Sequence, residues 1–327
     1  MREPASPAAA PGGPPLLVIV GPTAVGKSDC ALLACARFGG EIVSVDSMQV
    51  YRGLDRGTSK PDAATRRRVP HHGIDLADPG RDFSMGDFVR EGERVIGDIR
   101  SRGRLPVLVG GTGLYLRGLL KGIADAPRRD AALRGRLDAV AARRGGPFLH
   151  RMLRRFDPAA AARLPPRDRQ RIARALEVAL TARRTLTDLI GRSPFGADRY
   201  AAVKIGLTLD REALYRRIDE RVARFFAAGL ADEVRGLLER GVPPEANAFK
   251  ALGYREAMGH VRGTLPLAEA IAATCRATRR YAKRQWTWFR REDGVAWFTL
   301  DAAVAEPFAE PLDFAARALG RRGEGTC

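Results

Sequence analysis

The chain has 327 residues, of which 45% are hydrophobic and 29% charged, with a formal net charge of +18. Its length allows one large core or two domains, and with no apolar run of about 18 residues a transmembrane helix is excluded. The four cysteines (Cys30, Cys35, Cys275, Cys327) contain no CxxC pair, which argues against a zinc site or a disulfide framework. Arginine outnumbers lysine about eightfold, as a GC-rich genome explains, but genome bias does not explain the excess of bases over acids. That excess points to a nucleic-acid partner ahead of an anionic small substrate or a membrane surface.

Residues 1–14 are rich in Pro, Ala and Gly and lack the basic start and apolar core of a signal peptide, so they read as a disordered leader on a cytoplasmic protein. The apolar run that follows is a buried strand, and it breaks into Gly21-Pro22-Thr23-Ala24-Val25-Gly26-Lys27-Ser28, which fits the P-loop pattern. Glycines at both ends let the backbone curl its N–H groups toward phosphate oxygens. Lys27 reaches the outer phosphates, and the Ser28 hydroxyl can ligate Mg²⁺. A helix from about Ser28 to Arg37 adds the partial positive charge of its N-terminus. The loop leaves both ATP and a diphosphate ester open as ligands. Cys30 and Cys35 fall on this helix, where packing is their expected role.

Glu41–Asp46 (EIVSVD) reads as a second strand ending in an acid. In a parallel sheet its carboxyl end shares a rim with the P-loop, so Asp46 is a candidate site residue, the alternative being a turn cap. Residues 52–61 form a polar, glycine-punctuated loop, and 70–79 contain a further short strand-like piece; His71 and His72 there read as hydrogen-bonding rather than metal-binding groups. Phe83–Ser101 has apolar residues at helical spacing, and Leu105–Gly110 is a third buried strand. It runs into Gly111-Thr112-Gly113, whose small residues permit close backbone approach to a ligand.

From about residue 123 to 198 no strand-like run appears. Between Arg128 and Arg184 there are 16 arginines, no lysine and 5 acids, which reads as a helical insertion gripping a polyanion, with Arg171 and Arg174 one turn apart. Ala202–Leu209 resumes the sheet, Arg211–Arg240 reads as an amphipathic helix, and Phe249–Arg255 as a glycine-containing turn. Residues 272–291 interleave seven cations with Tyr281, Trp286, Trp288 and Phe289 and contain no acid, a pattern suited to RNA or phosphate contact. Trp286 or Phe289 is expected to pack inward. Val295–Leu300 is a late strand, and a terminal helix and tail follow.

Taken together, GPTAVGKS (21–28), SVDSMQVYRGLDRGTSKP (44–61), VGGTGLY (109–115), QRIARALEV (170–178), FKALGYREA (249–257) and KRQWTWFR (283–290) resemble the bacterial tRNA dimethylallyltransferases, in family order and over nearly the whole chain after the leader. The resemblance implies an α/β fold: a P-loop NTPase-like core with a parallel β-sheet flanked by helices (15–122 and 199–316), an all-helical insertion domain (123–198) and a flexible tail (317–327). It implies transfer of a dimethylallyl group from dimethylallyl diphosphate to N6 of the adenosine directly 3′ of the anticodon of tRNA, with Mg²⁺ as cofactor. By the same resemblance Thr23, Lys27 and Ser28 bind diphosphate within the loop 21–28, assisted by Arg221, and Asp46 is the general base. Thr112 contacts the base in its channel. Asp46, Ser47, Met48, Gln49, Arg134, Gln170, Arg171, Ile172, Ala173, Arg174, Lys250, Arg255, Lys283, Arg284, Gln285, Trp286, Thr287, Trp288, Phe289 and Arg290 match tRNA contacts. A metabolite kinase leaves the arginine-rich insertion idle, and a non-catalytic RNA-binding NTPase leaves Asp46 idle. A monomer is expected by default, because no exposed heptad or apolar stripe stands out.

Overall fold

Five consecutive aliphatic side chains in a strand point alternately to its two faces, so a run such as Leu16–Val20 is stable only where both faces are covered. The computed structural model describes residues 14–124, 126–127, 129–190, 195–301 and 304–320. Most of the expected leader and tail lie outside the described residues. The strands are β1 (Leu16–Val20), β2 (Gly40–Val45), β3 (His71–His72), β4 (Leu105–Gly110), β5 (Ala202–Thr208) and β6 (Val295–Thr299). They form one parallel sheet in the order β3-β2-β4-β1-β5-β6, in which Leu17 of β1 stands opposite Val107 on one side and Val203 on the other. Every residue of β1 is at most 2% exposed.

Helices α1 (Lys27–Phe38), α2 (Ala63–Arg68), α3 (Met85–Ser101) and α4 (Gly113–Lys121) alternate with the first strands. α1 packs on β1, β2 and β4, where Cys30 and Cys35 are buried and burial pushes both thiols up to about 12. α3 opens with a capping box between Ser84 and Asp87, which fixes its start beside the sheet. Five helices then follow without a strand among the described residues: α5 (Ala131–Arg144), α6 (Gly146–Phe156), α7 (Pro158–Arg163), α8 (Arg169–Ala182) and α9 (Leu186–Ile190). After β5 come α10 (Arg211–Ala227), α11 (Leu230–Glu239), α12 (Tyr254–Val261) and α13 (Leu267–Phe289), with α14 (Ala309–Ala318) after β6.

The stretch 211–240 is thus two helices rather than one. Gly229, at φ 91°, occupies the left-handed region that only glycine adopts without strain, and the chain turns there although its apolar spacing continues on both sides. The loop before α2 is pinned from inside: Glu233 of α11 accepts from the amides of Asp55 and Arg56 at 3.1 and 3.0 Å and from the Tyr254 hydroxyl at 2.5 Å. Among the described residues no helix is long and apolar enough to cross a membrane.

The chain divides into two compact units, Met1–Leu120 with Asp198–Cys327, and Lys121–Ala197. The second has its own core of Leu137, Leu149, Leu153, Ile172 and Leu176. Glu177 is fully buried in it, accepting from the Asp130 amide at 2.6 Å and facing Arg174 at 2.9 Å and Arg134 at 3.4 Å. Removing it strands a half-buried guanidinium. Glu177→Ala is therefore expected to destabilise this unit by about 3 kcal/mol, seen as faster amide exchange across α5 to α8 with the sheet amides unchanged.

Candidate active site

The carboxyl ends of the parallel strands carry the site, as the geometry of such sheets requires. β1 ends at Gly21, whose φ of 145° and close approach to β5 (an added Cβ would stand 2.3 Å from the Leu207 carbonyl) leave room for no other residue. The loop closes at Gly26, φ 102°, and α1 starts with no side-chain cap, which leaves its first-turn amides without a capping side chain, as anion binding needs. Lys27 folds back over the loop and donates from Nζ to the Pro22 carbonyl at 2.8 Å. Burial, together with the nearby Arg221 guanidinium, lowers the Lys27 pKa to about 7 against the opposing pull of Asp46. Burial likewise lowers that of Arg221, which Asp46 partly restores. Ser28 is exposed on the first turn. Pro22 has no N–H to offer and Val25 is fully buried, so within the loop these two contribute shape rather than side-chain contacts.

Asp46 follows β2. Its Oδ1 accepts from the amides of Met48 and Gln49 at 2.8 and 3.2 Å, a turn cap that fixes the carboxylate and leaves Oδ2 without a donor among the described residues. The adjoining Ser47 amide donates to Thr112 Oγ1 at 3.2 Å, and the Thr112 amide donates to the Val45 carbonyl at 3.3 Å, which ties the loop after β4 to the Asp46 turn. Gln49 is engaged inward: it accepts from Ser44 and donates to the Thr58 carbonyl, so its amide braces the 54–60 loop.

The glycines after β4 make room for protein rather than for a ligand. A Cβ on Gly111 would stand 1.8 Å from Gln285 Nε2, and one on Gly113 2.1 Å from Trp288 Nε1. α13 brings these side chains in one after another: Tyr281, Gln285 and Trp288 are spaced by one turn. The Tyr281 hydroxyl lies 3.5 Å from the Gly111 carbonyl, and burial raises its pKa, with the Asp46 charge adding to the effect and hydrogen bonds to Thr112 and Gln285 opposing it. The sequence named Tyr281 only as one aromatic of the basic run 272–291; the structure places it beside Gly111, four residues before Gln285 on the same helix face.

Several positions expected at an RNA surface are not available there. Ile172 and Ala173 are 0% and 2% exposed within the helical core, Phe289 is 1% exposed, and Gln285 is 5% exposed and bonded inward. Trp286 packs edge-on against Trp297 with centroids 4.7 Å apart. Arg134 and Arg174 are held by Glu177, whereas Arg171 is 75% exposed beside Asp168 at 3.4 Å. Gln170, Lys250, Arg255, Lys283, Arg284, Thr287 and Arg290 are exposed. Arg117, not anticipated, stacks over Trp288 at 4.6 Å and, with Arg280, Lys283, Arg284 and Arg291, lines a cationic cavity of about 620 Å³.

A parallel sheet with a phosphate loop at the end of its central strand and a fixed carboxylate on the neighbouring rim defines a P-loop-type protein acting on a phosphorylated substrate. The family model described as IPP transferase matches residues 49–292. A tRNA dimethylallyltransferase of Solibacter usitatus is 47% identical over 94% of this chain and 100% of its own length, and one of Anaeromyxobacter sp. is 51% identical over 90% and 95%. The full-length tRNA isopentenylpyrophosphate transferase of Bacillus halodurans, 40% identical, superposes with a TM-score of 0.69 over 94% of this chain and 97% of that one. A eukaryotic dimethylallyltransferase acting on tRNA, 24% identical, shares the fold at a TM-score of 0.81 over 96% and 81% of the two chains. The chain belongs to the IPP transferase family.

Two alanine substitutions separate packed from unpacked glycines. Gly113→Ala forces the Trp288 indole or the loop to move and is expected to cost about 1–3 kcal/mol. Gly97→Ala, on α3 with nothing within 4 Å, is expected to add about 0.5–1 kcal/mol of stability. Urea unfolding of the two variants checks both signs.

Proposed function

We propose that the protein transfers a dimethylallyl group from dimethylallyl diphosphate to N6 of the adenosine directly 3′ of the anticodon of tRNA, releasing diphosphate. The observation that carries this reading is the placement of the Asp46 carboxylate near enough to Lys27 and Arg221 to perturb both, which puts a proton acceptor beside an anion cradle. The carbon–nitrogen bond forms as the carbon–oxygen bond to diphosphate breaks. The amine proton passes to Asp46 Oδ2, and a carboxylate so placed contributes about 10²–10⁴-fold. Charge developing on the leaving diphosphate is met by Lys27, Arg221 and the uncapped amides of α1, already in position before the reaction starts. The Thr23 amide is occupied by Gln285, so its hydroxyl is the group left for diphosphate.

Mg²⁺ fits the donor set. Among the described residues no group of three carboxylate, imidazole or thiol ligands exists, and the lone Ser28 hydroxyl suits an ion that keeps its waters and is shared with substrate phosphates. When bound it neutralises diphosphate charge. The target base is reached only when flipped out of the anticodon loop, and the exposed cations on α13 and in the helical unit, Arg171 foremost, are the RNA grip.

The reaction is tested by incubating the protein with unmodified tRNA, dimethylallyl diphosphate and Mg²⁺ and weighing the nucleosides of the digested RNA. A gain of one dimethylallyl unit on adenosine is expected; ATP hydrolysis without that gain would replace this reading with a kinase or NTPase. Asp46→Asn is expected to keep tRNA affinity and to lower turnover by about 10²–10⁴-fold, measured in single-turnover assays. Arg171→Ala is expected to flatten the slope of log K against log salt by nearly one unit, the loss of about one phosphate contact. Arg174→Ala loses helix stability through Glu177 as well.

Lys27 makes diphosphate binding pH-dependent. With its pKa lowered to about 7, Lys27 is largely neutral above pH 7, and a bound polyanion favours its charged form. Binding above pH 7 therefore takes up a proton, and pyrophosphate affinity is expected to fall about tenfold per pH unit there. The same shift works against the free fold at low pH: stability of the unliganded protein rises from pH 7 towards the ordinary lysine range. Calorimetry in buffers of different ionisation enthalpy reads the proton uptake, which Lys27→Ala abolishes.

A further inference from the structure

One side chain joins the two halves of the site. Gln285, on α13 and 5% exposed, accepts from the Thr23 amide through Oε1 at 2.8 Å and donates from Nε2 to the Gly111 carbonyl at 3.0 Å. Thr23 belongs to the phosphate loop. Gly111 begins the loop that carries Thr112 to the Asp46 turn through the Ser47 amide at 3.2 Å. A single planar amide thus sets the spacing between the side that holds the leaving group and the side that holds the proton acceptor.

At neutral pH no other side chain of this length and shape supplies this bridge. Glutamate offers the acceptor without the donor, lysine the donor without the acceptor, and methionine of similar length neither. The partners are also matched to it: the missing Cβ of Gly111 is the space that Nε2 fills, at 1.8 Å from where that Cβ would be. Its neighbours Lys283, Arg284 and Thr287 are exposed, while Gln285 points inward and has both polar atoms bonded to backbone.

We propose that Gln285 is a positioning residue for the transfer reaction, locking the phosphate loop to the acceptor loop so that the diphosphate-bearing carbon and the adenine amine meet in line. The inference rests on the prenyl-transfer reading above. Misplacement of reacting groups by about 1 Å costs about 10²-fold in rate, so the bridge acts on turnover more than on either affinity.

The test compares Gln285→Met and Gln285→Glu with the unaltered protein. Both variants are expected to bind tRNA and pyrophosphate within about threefold of normal and to lose about 10²-fold in kcat. Gln285→Glu is expected to recover as the pH is lowered through its carboxyl pKa, because the neutral acid regains a donor for Gly111 while still accepting from Thr23; Gln285→Met shows no recovery. A loss lying wholly in tRNA affinity would make Gln285 an RNA contact and overturn the proposal, as would normal turnover in Gln285→Met. Amide exchange at Thr23, measured without substrate, judges the bridge apart from the reaction. It is expected to be slow in the unaltered protein and in Gln285→Glu and fast in Gln285→Met. Equal exchange in all three overturns the bridge. Absence of prenyl transfer by the unaltered protein overturns the reaction assigned to it instead.

Discussion

Two basic groups held close together and away from water are an unfavourable arrangement that the Asp46 carboxylate offsets only in part, and the rest of the core unit is built to maintain it. Lys27 is fixed by α1 and by the Pro22 carbonyl, Arg221 by α10, and each is desolvated. β1 is buried on both faces and the loop at its end is seated against β5 through Gly21, which fixes the backbone that carries Lys27. Desolvated positive groups of this kind gain most from an anion, so the electrostatic cost of the fold is available as binding strength for a phosphorylated ligand. Asp46 stands within the same field, near enough to act on both Lys27 and Arg221.

The acceptor side is organised by backbone-level ties rather than by ion pairs. The Asp46 turn, Thr112, Gly111, Gln285 and Thr23 form a continuous chain of hydrogen bonds at 2.8–3.3 Å that runs from one strand end to the next. Such a chain keeps loops, the usual seat of motion, as firmly placed as the strands that they leave. It also accounts for the invasion of the rim by α13, a helix remote in sequence that packs on α10 and α12 as well and leaves Lys283, Arg284 and Thr287 exposed.

The strands were legible because aliphatic runs flanked by glycine or polar turns have one stable reading in an α/β chain. β4 begins and ends where the pattern of Leu105–Gly110 says, and the phosphate loop, Asp46 and the rim that they share follow from strand direction. What escaped depends on partners far along the chain. The glycines at 111 and 113 look like clearance for a ligand until Gln285 and Trp288 are seen against them. Ile172 and Ala173 sit inside an arginine-rich motif that reads as surface, although the helical period turns them inward. Arg134 and Arg174 count as free positive charge in a composition, but one buried acid, Glu177, claims both. The break at Gly229 was hidden because apolar spacing resumes at once in α11.

The edge strand β3 is only two residues long, and its flank is held by the His72 contact to Glu41, itself clamped by Arg102. At the other edge β6 is backed by Trp286, edge-on to Trp297, and by Phe314, tilted against Phe298. A sheet this apolar would, with a long bare margin, recruit strands from other molecules and aggregate. Cropping one margin to two residues denies a foreign strand a template of useful length. The interior can then be made as greasy as the phosphate loop requires without giving up colloidal stability in a crowded solution.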